Sequence, residues 1–411
     1  MTASIIIARV CILMVASVLL ASSATARAQS STGSRTKRAP AKAQPPARLN
    51  TEFDQAVKLG DEARSTGRLD EAIELYAKAL RIRPNWPDGW WYLGAIFYEK
   101  DLYPQARDAF RNLVTLDPKR GPAWGMLGLC EFQTSEYDRA VISLVRARAL
   151  GLGENKEVES VVRYHTALLY IRFEHFEIAY DILSEFLREG NESPKVVEAF
   201  GLTMLRMPFL PKEIPPDKRE QVLLAGRAGF SMVARRMDEA RMAFDMLLAR
   251  YPNEPNVHYA FGVYLLGQDA DAAVKEFRRE LEISPSHQPA MVQLAFEYLK
   301  RDEYDTALPL AEKAAQLAPK MFAARNVLGR VLLELGQVER AVKELEEGVR
   351  LAPSSPEMHF ALARAYTRAG RKEDAARERE IFKRLQDEFN ARRGSARPGE
   401  ENNNNQPKAK P

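Results

Sequence analysis

Apolar and small side chains recur at helical spacing through most of this chain, in blocks that return every 34 residues. The best-formed block covers residues 90–118: Trp90, Leu93, Gly94 and Phe97 mark one helix, Ala106 and Phe110 mark a second, and Pro118 ends it. Gly60, Gly94 and Gly128 stand 34 apart, as do Ala72, Ala106 and Ala140, and Pro84 and Pro118. Small residues fall where two helices cross closely, and large ones fill the gaps between ridges. Two helices per period predict stacked helix pairs, each burying its core only against its neighbours.

Residues 90–118 resemble the W-x2-L-G-x2-Y, A-x3-F, P signature of the tetratricopeptide repeat, with Phe97 in the tyrosine slot. The resemblance extends over about nine units. It implies an all-α fold, a right-handed superhelical solenoid of antiparallel helix pairs. An N-terminal block, 51–207, holds units at 53–86, 87–120 and 121–154, a degenerate unit at 160–193, and an unpaired helix at 194–207. Residues 208–216 then place four prolines in nine positions, which forbids a helix. This interruption reads as a hinge, a change of direction, a projecting loop or an inert insertion. A C-terminal block, 217–392, follows with units at 221–254, 255–286, 288–321, 322–355 and 356–389. Its last helix is highly charged and carries Arg379 in a slot that is apolar elsewhere, as expected of a terminal helix without a following neighbour.

Charge and processing signals add a compartment. Residues 1–28 have the form of a secretory signal peptide: Arg9, an apolar run over 10–21, and Ala26-Arg27-Ala28 before Gln29. The run is short for a membrane span; an uncleaved anchor lengthened by Ile5, Ile6 and Ile7 is the alternative. The expected location is therefore exported, periplasmic or secreted, with no transmembrane span after cleavage. Cleavage leaves Cys130 as the sole cysteine, so the mature chain forms no internal disulfide, and its setting in Gly128-Leu129-Cys130-Glu131-Phe132 reads as a buried helical position. The net charge of +4 hides a division: residues 29–50 carry five basic side chains and no acids, residues 390–411 carry five basic and two acidic ones, and the segment between is net acidic by six. By composition, 29–50 reads as a disordered basic linker and 393–411 as a disordered tail. An acidic body argues against nucleic acid.

In tetratricopeptide repeats the first helix of each pair lines a concave face, and the resemblance places the fifth, ninth and twelfth residues of each unit there. These slots hold Trp91 and Tyr98, then Leu129 and Phe132, Tyr164, Leu168 and Ile171, Tyr259 and Val263, and Val292, Phe296 and Leu299. Two readings stay open: an apolar groove for a peptide or partner helix, with Trp91 and Tyr98 as anchors, or packing against neighbouring helices. Toward the C-terminus the slots turn polar with Asn326, Arg330 and Arg364, and Arg368 beside them. Arg330 and Arg364 share a slot in adjacent units, so the two guanidinium forks either take a carboxylate together or stand solvated. The family's peptide clamp is not supported, because its Lys and Asn slots in the first unit are Val57 and Asp61.

Catalytic motifs are missing. His165, His175, His258, His287 and His359 belong to no H-E-x-x-H or Cys/His cluster, and no G-x-S-x-G, P-loop or dinucleotide fingerprint occurs. His258 and His359 take the fourth slot, filled by Trp90 and Trp124 in other units, and so read as packing residues. No cofactor, metal or catalytic residue is expected. The leading expectation is a non-catalytic scaffold of the bacterial cell envelope that binds a protein or peptide through its groove. The alternative is a glycan or cell-wall binding protein that uses its basic ends and groove aromatics.

Overall fold

The computed structural model describes residues 47–190 and 192–395. The signal segment at 1–28, the linker up to residue 46 and the tail from residue 396 lie outside the described residues. Nineteen α-helices and no strand occur among the described residues, which form two compact units, one ending at Ala243 and the other beginning at Phe244. No helix among the described residues is long and apolar enough to cross a membrane.

The first unit stacks the pairs Ala47–Ser65 and Leu69–Ile82 (α1, α2), Pro87–Glu99 and Tyr103–Leu116 (α3, α4), Gly121–Gln133 and Tyr137–Leu150 (α5, α6), and Lys156–Arg172 and Phe176–Arg188 (α7, α8). Pro194–Met204 (α9) and Arg219–Val233 (α10) follow, and the unit boundary falls within Met237–Arg250 (α11). The second unit continues with Val257–Leu265 and Ala270–Ile283 (α12, α13), Gln288–Lys300 and Tyr304–Leu317 (α14, α15), Phe322–Glu334 and Val338–Leu351 (α16, α17), and Pro356–Arg368 and Lys372–Ser395 (α18, α19).

Local chemistry sets these boundaries. Proline stands in the first turn of α3, α5, α9, α14 and α18, where its missing N–H costs no helical bond. Asn155 caps α7 by accepting from the Glu157 and Val158 amides at 3.1 and 3.2 Å.

First and second helices are buried differently. Helix α4 buries Ala106, Ala109, Phe110, Leu113 and Val114, one face at helical spacing, whereas α3 buries Trp91 through Ile96 without a break and then Tyr98. A first helix is covered by its own partner and by pairs on both sides, so most of its circumference is core. Within the pair, Gly94 lets the Phe110 ring lie where a Cβ would meet it at 2.9 Å. Cys130 is a buried thiol.

The fourth slot ties consecutive pairs together. The Nε1–H groups of Trp90 and Trp124 donate to the Pro84 and Pro118 carbonyls at 2.8 and 3.0 Å. His258 Nε2 and His359 Nε2 reach the Pro252 and Pro353 carbonyls at 2.9 Å each, and Arg325 reaches Pro319. The histidines add a second bond, Nδ1 to Glu276 at 2.6 Å and to Glu378 at 2.5 Å. Both are bridges as well as packing residues.

The expectation of an unpaired helix after residue 193 is corrected. Helix α9 packs closely on α10, because Gly201 and Gly226 bring the backbones together: a Cβ on either would lie 1.9 Å from the Val222 carbonyl oxygen or 2.1 Å from that of Val197. The proline-rich stretch between them lies inside the first unit.

Candidate functional site

The site is built where the first unit departs from repeat spacing. Phe132 at the end of α5, Val161, Tyr164, His165 and Leu168 on α7, Phe186 on α8 and Val196 on α9 line a cavity of about 410 Å3, and Leu210, Pro211 and Lys212 of the proline-rich stretch form another wall. Its size falls within the range of ligand pockets.

The stretch is a strap held at both margins. Leu210 is 1 % exposed, Ile214 is buried, the Leu210 N–H donates to Glu213 Oε2 at 2.9 Å, and the Glu213 N–H returns to the Leu210 carbonyl at 2.8 Å. Arg172 from the end of α7 donates to the Pro208 carbonyl at 3.2 Å and to Glu213 at 3.1 Å. The stretch is thus a packed wall, which the sequence reading of it as a hinge, a change of direction, a projecting loop or an inert insertion did not include.

Burial shifts three polar groups of the cavity toward their uncharged forms. Burial, with a smaller effect from the Lys195 charge, lowers the His165 pKa to about 4, so the ring is neutral at neutral pH. Its Nδ1–H donates to the Val161 carbonyl at 2.8 Å, which fixes the tautomer and makes Nε2 an acceptor. Burial and then the Glu198 charge push the Tyr164 phenol upward, and burial raises Glu198 itself against the opposing charge of Arg219, 3.3 Å away. The His165 ring meets Phe132 edge-on at 4.8 Å and Tyr164 at 5.6 Å. Lys195 and Lys212 are exposed contributors to the lining. The cavity suits an apolar group with few polar atoms.

Of the groove residues expected from sequence, Phe132 and Tyr164 meet here with Leu168. Trp91 and Tyr98 do not face a groove. Trp91 is 1 % exposed, edge-on to Phe110 at 5.7 Å and covered by the Arg120 guanidinium at 4.8 Å; Tyr98 is buried against Tyr103 at 5.3 Å. Both lie one step around α3 from its consensus residues, on a face that the adjoining helices already cover. In the second unit Tyr259 is half-buried between Phe277 and His287, with ring centroids at 5.9 and 4.8 Å. Phe296 lies half-buried under the Arg330 guanidinium at 5.4 Å. Asn326 is buried and donates to the Met358 sulfur at 3.2 Å, so it too is a packing residue.

Arg364 and Arg368 converge on one carboxylate, Glu334. Burial and then the charge of Arg364 lower the pKa of Arg330. Glu334 takes Arg364 at 2.7 Å and Arg368 at 3.9 Å. The expected carboxylate partner is thus supplied by the chain itself, four residues along α16 from Arg330, a helical spacing visible in the sequence. His165, Leu210 and Glu198 were not legible as site residues: nothing in their own spacing shows that the strap folds back over α7.

Comparison with known proteins follows this architecture. Residues 60–101 match a family model described as TPR repeat, and residues 98–151, 227–254 and 298–359 match models described as tetratricopeptide repeat. The chain is similar to a general transcriptional corepressor of Dictyostelium discoideum, 28 % identical over 142 residues, covering 34 % of this chain and 10 % of that protein. It is similar to a BBSome complex member of Bos taurus, 23 % identical over 180 residues, covering 36 % and 33 %. A small glutamine-rich tetratricopeptide repeat-containing protein of Mycosarcoma maydis is 32 % identical over 88 residues, covering 21 % and 25 %. The chain spans between 10 and 33 % of the length of the first three curated relatives. Among solved structures it is similar to MamA from Desulfovibrio magneticus RS-1, at 23 % identity and a TM-score of 0.35, covering 42 % of this chain and 96 % of that one. Helix pairs, a 34-residue period and four separate model matches show tetratricopeptide repeats over residues 60–151, 227–254 and 298–359.

Proposed function

We propose that the chain is a non-catalytic scaffold, exported to the bacterial cell envelope, that holds a protein partner by seating one of its apolar side chains in the strap-walled cavity of the first unit. The observation that carries this reading is the strap: where the array leaves its consensus, Leu210 and Pro211 build a concave apolar wall opposite Phe132, Tyr164 and Leu168. Tetratricopeptide repeats bind protein partners, and a largely apolar cavity with one phenol and one imidazole acceptor among its polar groups suits an apolar anchor flanked by peptide groups. Export rests on the signal-like form of residues 1–28.

A pull-down from envelope extract with wild type and the Phe132→Ala/Tyr164→Ala double variant tests the cavity. Loss of a partner from the variant is expected; identical partner sets remove the cavity from the reading. Export is checked separately by the N-terminal sequence of protein from the envelope fraction, which should begin at Gln29. A second reading, retention on anionic cell-wall polymer, is favoured by the five basic side chains of residues 29–50, which no acid accompanies. Such attraction fades as salt rises, and retention that outlasts removal of both basic ends rules it out.

A further inference from the structure

We propose that the open end of the last helix pair is a docking site for an acidic amphipathic helix of a partner protein. The proposal is independent of the cavity reading, since every residue it uses lies in the second unit.

In the preceding pair, the equivalent surface is closed. Asn326, Leu333 and Leu345 of α16 and α17 are buried, and α18 closes on Asn326 through Met358, which also lies over Gly348. One period later the same positions are Phe360, Thr367 and Arg379. No helix follows α19 among the described residues, and the slot remains as a cavity of about 480 Å3 on α18 and α19, lined by these three with Arg364, Arg368 and Phe382.

A terminal pair that merely faces water places polar side chains there. This one does not. Phe360 is 49 % exposed, and its ring centroid lies 5.4 Å from that of Phe382, so two aromatics form an apolar floor at the end of the array. The surround is cationic. Glu334 is shared by Arg364 and Arg368, yet their side chains stay 40 % and 57 % exposed, and Arg330 adds a further positive charge beside Arg364. Arg379 donates to Thr367 Oγ1 at 2.7 Å and has no carboxylate within ion-pair distance among the described residues.

An apolar floor inside a ring of guanidinium groups is complementary to a helix with an apolar stripe flanked by carboxylates. Apolar residues at i, i+3 and i+4 would rest on Phe360 and Phe382, and Asp or Glu beside them would meet the arginine forks in bidentate pairs. The slot is one that a neighbouring helix fills everywhere else in the unit, so its spacing already suits a helix. Residues 396–411 contain no large apolar side chain.

The test uses the full chain and a fluorescent synthetic helix of about 18 residues, with Leu at i, i+3, i+4 and i+7 flanked by Glu, read by anisotropy. Saturable binding is expected, weakened at least about tenfold by Phe360→Ser and by Arg364→Glu/Arg379→Glu, and weakened by salt. A peptide with Lys in place of Glu should bind the charge-reversed variant and not the wild type. Helix content and Tm of the variants should match wild type, because the substituted side chains lie at an open end. Absence of saturable binding, equal binding of the Lys peptide by wild type, or affinity untouched by these substitutions overturns the proposal. So does sedimentation showing that Phe360 is covered by a second copy of the chain.

Discussion

At the fourth slot, the choice of side chain decides whether a bridge between successive units depends on pH. A tryptophan there donates once, to a proline carbonyl; His258 faces an acceptor at each nitrogen, the Pro252 carbonyl and the Glu276 carboxylate, so both bonds persist only while the ring holds two protons. Burial alone lowers the His258 pKa, but the hydrogen bonds the ring donates to the Glu276 carboxylate and the Pro252 carbonyl outweigh it, and the net shift is upward from 6.5. A folded-state pKa above the unfolded one contributes stability that is fully present below about 6.5 and is lost as pH rises through the folded value. His258→Gln should therefore cost about 1–2 kcal/mol at pH 5.5 and clearly less at pH 8.5, as read from urea unfolding of both proteins at each pH. A cost independent of pH would show that the bridge is not ionic. The packing slot of His258 was legible from unit spacing. Its partner was not, because Glu276 lies 18 residues away on the second helix, among many solvated carboxylates.

Between the two helices of most pairs, one residue turns the chain through the left-handed region, and the elements tolerate what stands there unequally. Gly67, Gly336 and Gly370 hold φ near 75°, while Asp101, Ser135, Glu174 and Asp302 adopt φ of 57–62° at corresponding turns. Asp101 and Asp302 are steadied by hydroxyls of Tyr103 and Tyr304 at 2.5 and 2.6 Å. Glu174 is exposed and gains no such bond, so Glu174→Gly should stabilise the first unit by about 1 kcal/mol, visible as a higher urea midpoint at constant slope. The same local logic explains what the sequence shows about whole elements. Gly94, Ala106 and Phe110 reveal the pair because their contacts lie inside one period. Trp91 and Tyr98 misled because one helical step separates the face turned to a groove from the face turned to the next pair. The prolines of 208–216 exclude a helix, but only the long-range bonds of Arg172 show where the strap lies.

Among the described residues, substantial helix contacts join neighbours in the chain and helices two apart, as expected of an array whose stability is a sum of local terms. Each unit carries its own fully buried aromatics, Phe110, Phe186 and Phe200 in the first and Phe244 and Phe277 in the second. Phe277 of α13 fills the space left by Gly262 of α12, and its ring lies 5.9 Å from Tyr259. Phe277→Ala removes that ring from a site the backbone does not readily collapse into, at a cost of about 3–5 kcal/mol. If the sum is local, the loss stays local: hydrogen exchange in the variant should accelerate for amides of α12, α13 and α14, while α3, α4 and α5 keep wild-type protection. Equal acceleration in both units would mean that the array opens as one cooperative body. The partner sites would then share a single stability, and a substitution in the second unit would also weaken binding at the strap-walled cavity of the first.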